Sequence, residues 1–326
     1  MVIGKLFKRD QVLCVGSAAL DHFLTIEQSH EKIKAGDKVL VKSLERHSGG
    51  GATNSAIALS RLGIKTKLLT KLGKDHDADF ILRELQEHKV KNICLHRSNK
   101  PTDFSSVIYS EKDKDRVIYV HKGASTDLQV HDFNSADLKT EWIYLATLID
   151  TSWETAKEIA HYALEHKIKL LFNPSLYLAE KGRNYLSEVL ESTKILVLNK
   201  EEAQALLNDR RSSIQKLLQQ FHLFGIEVVV ITDGPRALYA SDGYKIYVLY
   251  PPTIKVMDTT GAGDAFTSGI LAGIIKNLSL EESLKLGQLN AQAVLRGHGT
   301  KDKLLNWKEA LMLLKRNEIK VEIHEI

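Results

Sequence analysis

The sequence contains little of what disulfide-bonded, zinc-binding or membrane-spanning proteins require. Only 2 cysteines, Cys14 and Cys94, occur among the 326 residues, and each lies within an apolar run. Two isolated cysteines exclude a disulfide framework and a cysteine-based zinc site. No apolar run approaches the roughly 20 residues of a membrane-spanning helix. Because residues 1–11 also lack the apolar core of a signal peptide, we expect a soluble, globular, cytoplasmic protein.

An excess of charge of one sign is also missing. The 45 Lys and Arg residues are nearly balanced by 41 Asp and Glu residues, so the formal net charge is only +4. The densest charged run, residues 111–116, alternates in sign, which is typical of a solvated turn. Nucleic-acid-binding proteins instead concentrate Lys and Arg in a strongly basic stripe. The sequence therefore favours small-molecule partners, with no nucleic acid and no membrane.

With only 5 prolines and no linker, repeat or low-complexity tract, the chain shows no domain boundary. From residue 142 onward, apolar runs of strand length alternate with helical patterns, which is typical of βαβ units and a mostly parallel sheet. We expect strands at residues 12–16, 67–70, 90–95, 142–146, 169–172, 195–198 and 228–231. We expect helices at residues 53–62, 77–88, 154–165, 183–192, 214–224, 262–276, 280–295 and 306–315. The sequence thus predicts an α/β fold, a three-layer α/β/α sandwich that forms a single domain over residues 1–326.

Two hairpins interrupt this alternation. Residues 105–109 and 116–120 flank the charged turn with an apolar pattern of period two, which predicts a small antiparallel excursion from the main sheet. A second hairpin is expected at residues 237–240 and 245–250, around a turn with the sequence SDG.

The most informative segment is residues 258–266, with the sequence DTTGAGDAF, which opens a helix. Gly261, Ala262 and Gly263 leave backbone N–H groups open at the helix N-terminus, where the helix dipole favours an anion. An anion site beside the Asp264 carboxylate suits phosphoryl transfer to a hydroxyl, because the amides stabilise the transferred group and the carboxylate accepts the proton. A glycine-rich turn with Asp264 as a partner of the dipole explains the same residues equally well.

A second glycine-rich segment, residues 48–54 (SGGGATN), also precedes a helix. Consecutive glycines let a backbone approach a small ligand closely, although a permissive loop would have the same composition. The segment is not a Walker A loop, because no Gly-Lys-Ser/Thr follows. Residues 16–21 (GSAALD) lack the Gly-x-Gly-x-x-Gly of a dinucleotide-binding dehydrogenase, which argues against that class.

Together, in this order and at this separation, the two loops resemble those of the ribokinase-like carbohydrate kinase family, the phosphofructokinase-B group. The likeness extends from Leu13 to about Lys301 and rests on the Gly-Gly motif and on the DTTGAGDAF sequence. The resemblance implies an ATP- and Mg²⁺-dependent kinase that phosphorylates a hydroxyl group of a sugar. It also implies a β-strand lid, formed by segments 22–44 and 102–122, that excludes water. The exposed edge of such a lid could pair two chains into a homodimer.

The resemblance assigns roles to matching residues. The catalytic group consists of Asp264 as the base and the amides of Gly261, Ala262 and Gly263 as the anion hole. The nucleotide-binding group consists of Asn199, Thr232, Asp233 and Gly234, and Glu202 would organise Mg²⁺ through water. The acceptor-binding group consists of Asp21, Gly49, Gly50 and Asn54, and Asp103 is an additional candidate. A monovalent cation such as K⁺ would lie near Asp258 and Thr260.

Other interpretations stay open. Without the resemblance, Asn199 and Glu202 would be a helix cap and a first-turn acid. Gly51 stands where many ribokinases carry Lys, and no acidic residue is evident at residues 147–149, so ribose itself is in doubt. A nucleoside kinase or a sugar-phosphate kinase is the alternative, and ADP is not excluded as the donor. A non-catalytic ligand-binding protein is a further alternative, against which the intact Asp264 motif argues.

Overall fold

The computed structural model describes residues 11–257, 259–297, 299–316 and 319–325. Its strands are β1 (Val12–Val15), β2 (Ala19–Ile26), β3 (Ser43–Gly49), β4 (Thr66–Leu69), β5 (Lys91–Asn92), β6 (Asp103–Ser110), β7 (Asp115–His121), β8 (Trp142–Leu145), β9 (Lys169–Phe172), β10 (Thr193–Asn199), β11 (Val228–Thr232), β12 (Leu238–Ser241), β13 (Lys245–Leu249) and β14 (Val321–Glu325). Its helices are α1 (Gly51–Arg61), α2 (His76–Glu87), α3 (Thr151–Glu165), α4 (Leu176–Ala179), α5 (Arg183–Glu191), α6 (Lys200–Leu207), α7 (Ile214–His222), α8 (Ala262–Ile275), α9 (Leu280–Leu295) and α10 (Trp307–Arg316). None of the helices in these ranges is both long and apolar enough to cross a membrane.

The central sheet contains ten strands within the described ranges, in the order β14-β13-β12-β11-β10-β9-β8-β1-β4-β5. The strands from β11 to β5 in this order pair in parallel. At the other end, β12, β13 and β14 add to the sheet in antiparallel fashion. Because parallel strands end at the same edge, the segments that follow β1, β8, β9, β10 and β11 meet there, where ligands bind in open α/β sheets.

Side chains of the central strands alternate between two buried layers, as the period of two in a strand requires. Val12 and Cys14 belong to a core that includes residues of α1, α2, α8, α9 and α10. Leu13 and Val15 belong to a second core, with residues of α3, α5, α6 and α7. The sheet is therefore buried on both faces, which confirms the predicted three-layer sandwich.

A smaller sheet, in the order β3-β2-β6-β7, stands apart from the central one. The chain passes into it from β1 through Gly16, whose φ is +150° and where a Cβ would lie 2.8 Å from the Ala146 Cβ. Strand β2 pairs in parallel with β6, and the β6–β7 hairpin lies where the sequence predicts it. The strands extend beyond the expected lid segments, because β2 begins at Ala19 and β3 ends at Gly49.

Several of the described elements differ from the sequence-based expectation. Strand β5 is limited to two residues instead of residues 90–95, because the Asn92 side chain binds both the N–H and the C=O of Thr70 and ends the pairing. Helices α4 and α6 and strand β14 were not among the expected elements. All three are short, and β14 is an edge strand with mostly exposed side chains, so none has a long apolar pattern.

Candidate active site

The turn before α8 has the shape that the sequence indicates. Gly261 has a left-handed backbone with φ +77°, and a Cβ there would lie 2.7 Å from the Thr300 Cβ, so only glycine fits. Gly263 is exposed, and a Cβ there would meet nothing within 4 Å. The first turn of α8 is therefore open at Gly263, at the end of the helix that favours negative charge, while the Ala262 N–H makes a long bond of 3.4 Å to the Thr259 carbonyl.

Asp264 lies in this first turn and is held by an asparagine from α1. The Asn54 Nδ2 donates to Asp264 Oδ2 over 2.8 Å. The Thr300 hydroxyl donates to Asn54 Oδ1 over 3.0 Å, which fixes the orientation of the amide. Burial raises the pKa of Asp264 to about 6, although the hydrogen bond from Asn54 opposes the rise. The carboxyl group is thus ionised at neutral pH and still a competent proton acceptor.

The proposed acceptor residues pack tightly around Asp21. The Ser105 hydroxyl donates to Asp21 Oδ1 over 2.5 Å, and burial raises the pKa of Asp21. A Cβ on Gly49 would overlap Asp21 Oδ2, so the backbone of this loop lies directly against the carboxylate. Gly50 has φ +89°, and a Cβ there would lie 2.5 Å from the Ser17 carbonyl oxygen. Gly50 is therefore required by close backbone approach and by its positive φ, whereas a side chain at position 49 would displace the Asp21 carboxylate.

Asp103 has a different environment. Its Oδ1 accepts hydrogen bonds from the N–H groups of Gly123 and Ser125 over 3.0 and 3.1 Å, and its Oδ2 accepts one from the Ser125 hydroxyl over 2.5 Å. The Lys122 ammonium lies 3.6 Å from the same carboxylate. These contacts favour a structural role for Asp103, in which it anchors the turn after β7.

The proposed nucleotide residues lie at the ends of β10 and β11. Asn199 Oδ1 accepts from the Glu202 N–H and Glu202 Oε2 accepts from the Asn199 N–H, each over 2.8 Å, in a reciprocal capping box at the start of α6. Burial raises the pKa of Glu202 to about 7, and the charge of Asp264 adds to the rise. The helix-cap interpretation of this pair is therefore correct, and it leaves the second carboxylate oxygen of Glu202 for other partners.

After β11, the chain forms a tight turn. Asp233 pairs with Arg236, whose Nε lies 2.9 Å away, and this pairing lowers the pKa of Asp233. Gly234 is exposed with φ +56°, and a Cβ there would meet nothing within 4 Å. The turn is therefore open to solvent on the side away from the sheet.

A cleft of about 230 Å³ connects these parts at the carboxyl edge of the sheet. It brings Gly263 and Asp264 together with Asn199, Glu202 and Thr232. Among the proposed acceptor residues, Asn54 contacts Asp264 directly, and none of them is part of the cleft lining. Thr260 lies in the turn before α8, and the expected partner Asp258 lies outside the described residues.

Several further residues line the cleft without having been expected. They are Ser17, Thr147, Asn173, Ser175 and Tyr177. The Asn173 amide accepts from the Tyr144 hydroxyl over 3.1 Å and donates to the Val197 carbonyl over 2.8 Å, so it bridges three strands. A sequence signal exists, since Asn173 directly follows the buried run of β9. Thr300 and Lys301 follow no apolar run, and only the folded chain places them next to Asn54 and Ser48.

The model of the pfkB family of carbohydrate kinases matches residues 9–307 of the chain. The chain belongs to this family. This confirms the resemblance inferred from the two glycine-rich loops, and family membership makes the protein a phosphotransferase of the carbohydrate kinase class.

Individual relatives and solved structures agree with this assignment. A nucleoside kinase of Methanocaldococcus jannaschii is 25% identical over 314 residues, which cover 96% of this chain and 99% of the relative. A ribokinase of Bacillus subtilis is 26% identical over 278 residues, or 84% of this chain and 89% of the relative. The structure of Arabidopsis thaliana ribokinase complexed with ribose and ATP covers 94% of this chain and 99% of its own, with a TM-score of 0.81 at 22% identity. The structural likeness confirms the ribokinase-like fold.

Proposed function

We propose that this kinase is ATP- and Mg²⁺-dependent and phosphorylates a hydroxyl group of a sugar, with Asp264 as the general base. One observation carries the proposal. A carboxylate with a pKa of about 6 lies in the first turn of a helix, lines the open cleft and accepts a hydrogen bond from Asn54, one of the proposed acceptor residues. This arrangement suits in-line transfer, because the proton acceptor and the anion-binding amides flank the same space.

Each group of residues has its own role in the proposed phosphoryl transfer. The acceptor oxygen forms a bond to the γ-phosphorus while the bond from that phosphorus to the leaving ADP breaks, and the acceptor proton passes to the Asp264 carboxylate. The amides of Gly261, Ala262 and Gly263 stabilise the negative charge on the transferred group. Asp21, Gly49, Gly50 and Asn54 hold and orient the acceptor, and the turn at Thr232, Asp233 and Gly234 binds the nucleotide. We infer that the small sheet is a lid that excludes water as a competing acceptor.

The donor set fits a hydrated Mg²⁺. Burial raises the pKa values of Glu202 and Asp264, and the charge of Asp264 raises the pKa of Glu202 further, so a nearby cation would stabilise both ionised carboxylates. Among the described residues, no three His, Cys, Asp or Glu side chains are placed to enclose a metal ion. Mg²⁺ would therefore be held through water by Glu202 and by the phosphates of the nucleotide, where it neutralises charge on the phosphoryl group. A monovalent cation near Thr260 belongs to the same proposal.

A nucleoside is the second candidate acceptor. A cavity of about 860 Å³ lies between the small sheet and Val256, Met257 and Thr259, and its walls include Phe23 and Val107. A space of this size on the small sheet, lined by apolar and charged side chains together, favours an acceptor larger than a free pentose. The nucleoside kinase of Methanocaldococcus jannaschii, which matches nearly the whole chain, supports this candidate.

A donor-by-acceptor panel tests the proposal. ATP and ADP would each be combined with pentoses, hexoses, sugar phosphates and nucleosides, and the release of ADP or AMP would be followed together with the mass of the phosphorylated product. We expect acceptor-dependent turnover with ATP that requires Mg²⁺. Absence of such turnover over the whole panel would favour the non-catalytic ligand-binding alternative.

Light scattering of the purified protein would test whether two chains form the homodimer that pairing through the lid edge predicts.

A further inference from the structure

Lys301 is a buried cation beside the acceptor loop, and none of the roles proposed above uses it. Its side chain is only 7% exposed. The Nζ donates to the Ser48 carbonyl oxygen over 2.5 Å and also to the Ser48 hydroxyl, and it lies 3.5 Å from Glu84 Oε1. An ammonium has three N–H donors and no acceptor, so these three oxygens match the charged form.

Glu84, the ion-pair partner of Lys301, also contacts the loop of residues 48–50. Its Oε2 accepts a hydrogen bond from the Ser48 N–H over 3.2 Å. Lys301 and Glu84 together thus hold the N–H, the carbonyl and the hydroxyl of Ser48. The next residue, Gly49, is the one whose backbone lies against Asp21. A shift of Ser48 would therefore move the backbone that packs on the proposed acceptor carboxylate.

Thr300 extends the same segment to the proposed base. Its hydroxyl donates to Asn54 Oδ1 over 3.0 Å, and the Asn54 amide donates to Asp264 over 2.8 Å. Because the amide oxygen is occupied, the NH₂ group is the end that faces the carboxylate. Thr300 also packs against Gly261 in the anion-binding turn. Two consecutive residues, Thr300 and Lys301, therefore contact the acceptor loop, the partner of the base and the anion-binding turn.

Stability alone is a poor reason for this arrangement. A buried ion pair contributes little to folding compared with apolar residues of similar volume, whereas removing one partner leaves a costly unpaired charge.

Burial lowers the pKa of Lys301, and the charges of Glu84, Asp21 and Asp264 oppose this shift. The positive charge in turn opposes the rise that burial causes in the pKa values of Asp21 and Asp264. The charged and titratable groups that surround Lys301 and Asp264 are Asp21 on β2, Glu45 and His47 on β3, Arg61 on α1, Glu84 and His88 on α2, Asp302, Cys14 on β1, Tyr144 on β8 and Glu202 on α6.

We propose that Lys301 is a positioning residue of the acceptor site. Its ammonium fixes the loop of residues 48–50 against Asp21, and with Thr300 it keeps Asn54 directed at Asp264. The inference rests on the proposed kinase function, in which these residues orient the acceptor and its proton acceptor.

Substitution of Lys301 separates a positioning role from a structural one. Lys301→Met removes the donors and the charge, and we expect the KM for the acceptor to rise by about tenfold or more, as for the loss of a charge-assisted hydrogen bond. The KM for ATP should not change, and Lys301→Arg should recover part of the acceptor affinity. Lys71→Met is the matched control, because Lys71 is also buried and pairs with buried Asp132 over 2.6 Å. The control should lower the melting temperature and leave the acceptor KM unaltered.

The pH dependence supplies a second measurement. Removal of the cation raises the pKa of Asp264 further above about 6, so the acidic limb of kcat/KM against pH should move to higher pH. A ¹³C-carboxylate NMR titration, with the Asp264 signal assigned by its loss in Asp264→Asn, should show the same shift without any turnover. Lys71→Met should leave both curves unchanged.

The proposal is overturned if Lys301→Met changes only the melting temperature and leaves the acceptor KM and the Asp264 titration as in the wild type. If the wild type shows no acceptor-dependent turnover, the proposed function fails, and the NMR titration still decides the role of Lys301. If Lys301→Met does not fold, Thr300→Val decides. A lower kcat with an unaltered ATP KM supports the positioning role of the segment, and unaltered kinetics reject it.

Discussion

The acceptor side of the site, around Asp21 and Asn54, and the nucleotide side, at the ends of β10 and β11, are built differently. On the acceptor side, Asp21 and Asn54 are only 7% and 6% exposed, and their polar atoms are engaged by neighbours from three other segments. On the nucleotide side, Asn199 and Gly234 are exposed, and most hydrogen bonds lie within single turns; a longer contact, from Lys200 Nζ to Asp233 Oδ2 over 3.4 Å, joins the two turns. A preorganised site selects among similar ligands, because a misplaced group leaves buried polar atoms unpaired. We therefore expect the acceptor side to determine specificity, while the nucleotide side tolerates change.

Asp264 lies at the junction of the two sides, and its replacement should have the largest effect. General-base catalysis is typically worth about 10²–10⁴ in rate, so Asp264→Asn should lower kcat by roughly that factor. The affinity for ATP should not fall, because a negative charge near the γ-phosphate has been removed. The measurements are turnover with the best acceptor and a binding titration with ATP.

A thermal melt provides the control for this variant. The folded pKa of Asp264, about 6, exceeds the usual 3.8 of an Asp, so ionisation of the folded state costs stability as pH rises through this interval. Asp264→Asn removes that cost and should be at least as stable as the wild type at pH 7. Near-normal turnover combined with a lowered melting temperature would contradict the base assignment and leave Asp264 as a helix-start residue.

A pair of glycine substitutions compares the two sides directly. Gly49→Ala forces a Cβ onto Asp21 Oδ2, and we expect the acceptor KM to rise by at least about tenfold, since misplacement of about 1 Å is costly. Gly234→Ala meets no atom within 4 Å and introduces only the strain of a positive φ, so a small change confined to the KM for ATP is expected. Gly182→Ala, with φ +79° and an equally open environment, controls for that strain. Equal effects of the first two substitutions on both KM values would refute the comparison.

Glu202→Gln should have a smaller effect that depends on the metal. If Glu202 orders the water shell of Mg²⁺, the variant should need more Mg²⁺ for half-maximal activity. In metal-free buffer, the folded pKa of about 7 exceeds the usual 4.5, so the wild type loses stability as pH rises from about 4.5 to about 7. The stability of Glu202→Gln relative to the wild type should therefore increase over this range. An unchanged Mg²⁺ requirement would reduce Glu202 to its role in the capping box.

Deletion of residues 111–115, at the tip of the β6–β7 hairpin, should have the smallest effect on stability. The contacts of this tip are exposed, such as the ion pair of Lys42 with Glu111, and such pairs contribute about 1 kcal/mol or less. Looser closure should raise ATP hydrolysis in the absence of acceptor relative to acceptor phosphorylation. Measurement of ADP release with and without acceptor gives this ratio. Unfolding of the deletion variant would show that the hairpin belongs to the core and is not a lid.

The sequence alone was sufficient for the central sandwich and for the α8 motif. The strands alternate between two buried faces and the helices carry apolar stripes, and both patterns are local properties that the order of residues displays. The glycines and the acid at residues 261–264 are adjacent along the chain, so their spacing already places them in one turn. Strand β5 was overestimated because the interaction that ends it, between Asn92 and Thr70, joins residues far apart in sequence.

What the sequence by itself determined is therefore the fold class, the family and the residues of each loop. Only the tertiary structure decided which of these residues contact one another. Asn54 and Asp264 are hydrogen-bonded although they are 210 residues apart in the sequence, and Lys301 and Ser48 are hydrogen-bonded although they are 253 residues apart. Asp103 likewise uses its carboxylate to anchor residues 123 and 125. The physical reason is that a hydrogen bond or a desolvated charge depends on distance and burial, which the parallel sheet creates by bringing the ends of distant strands to one edge.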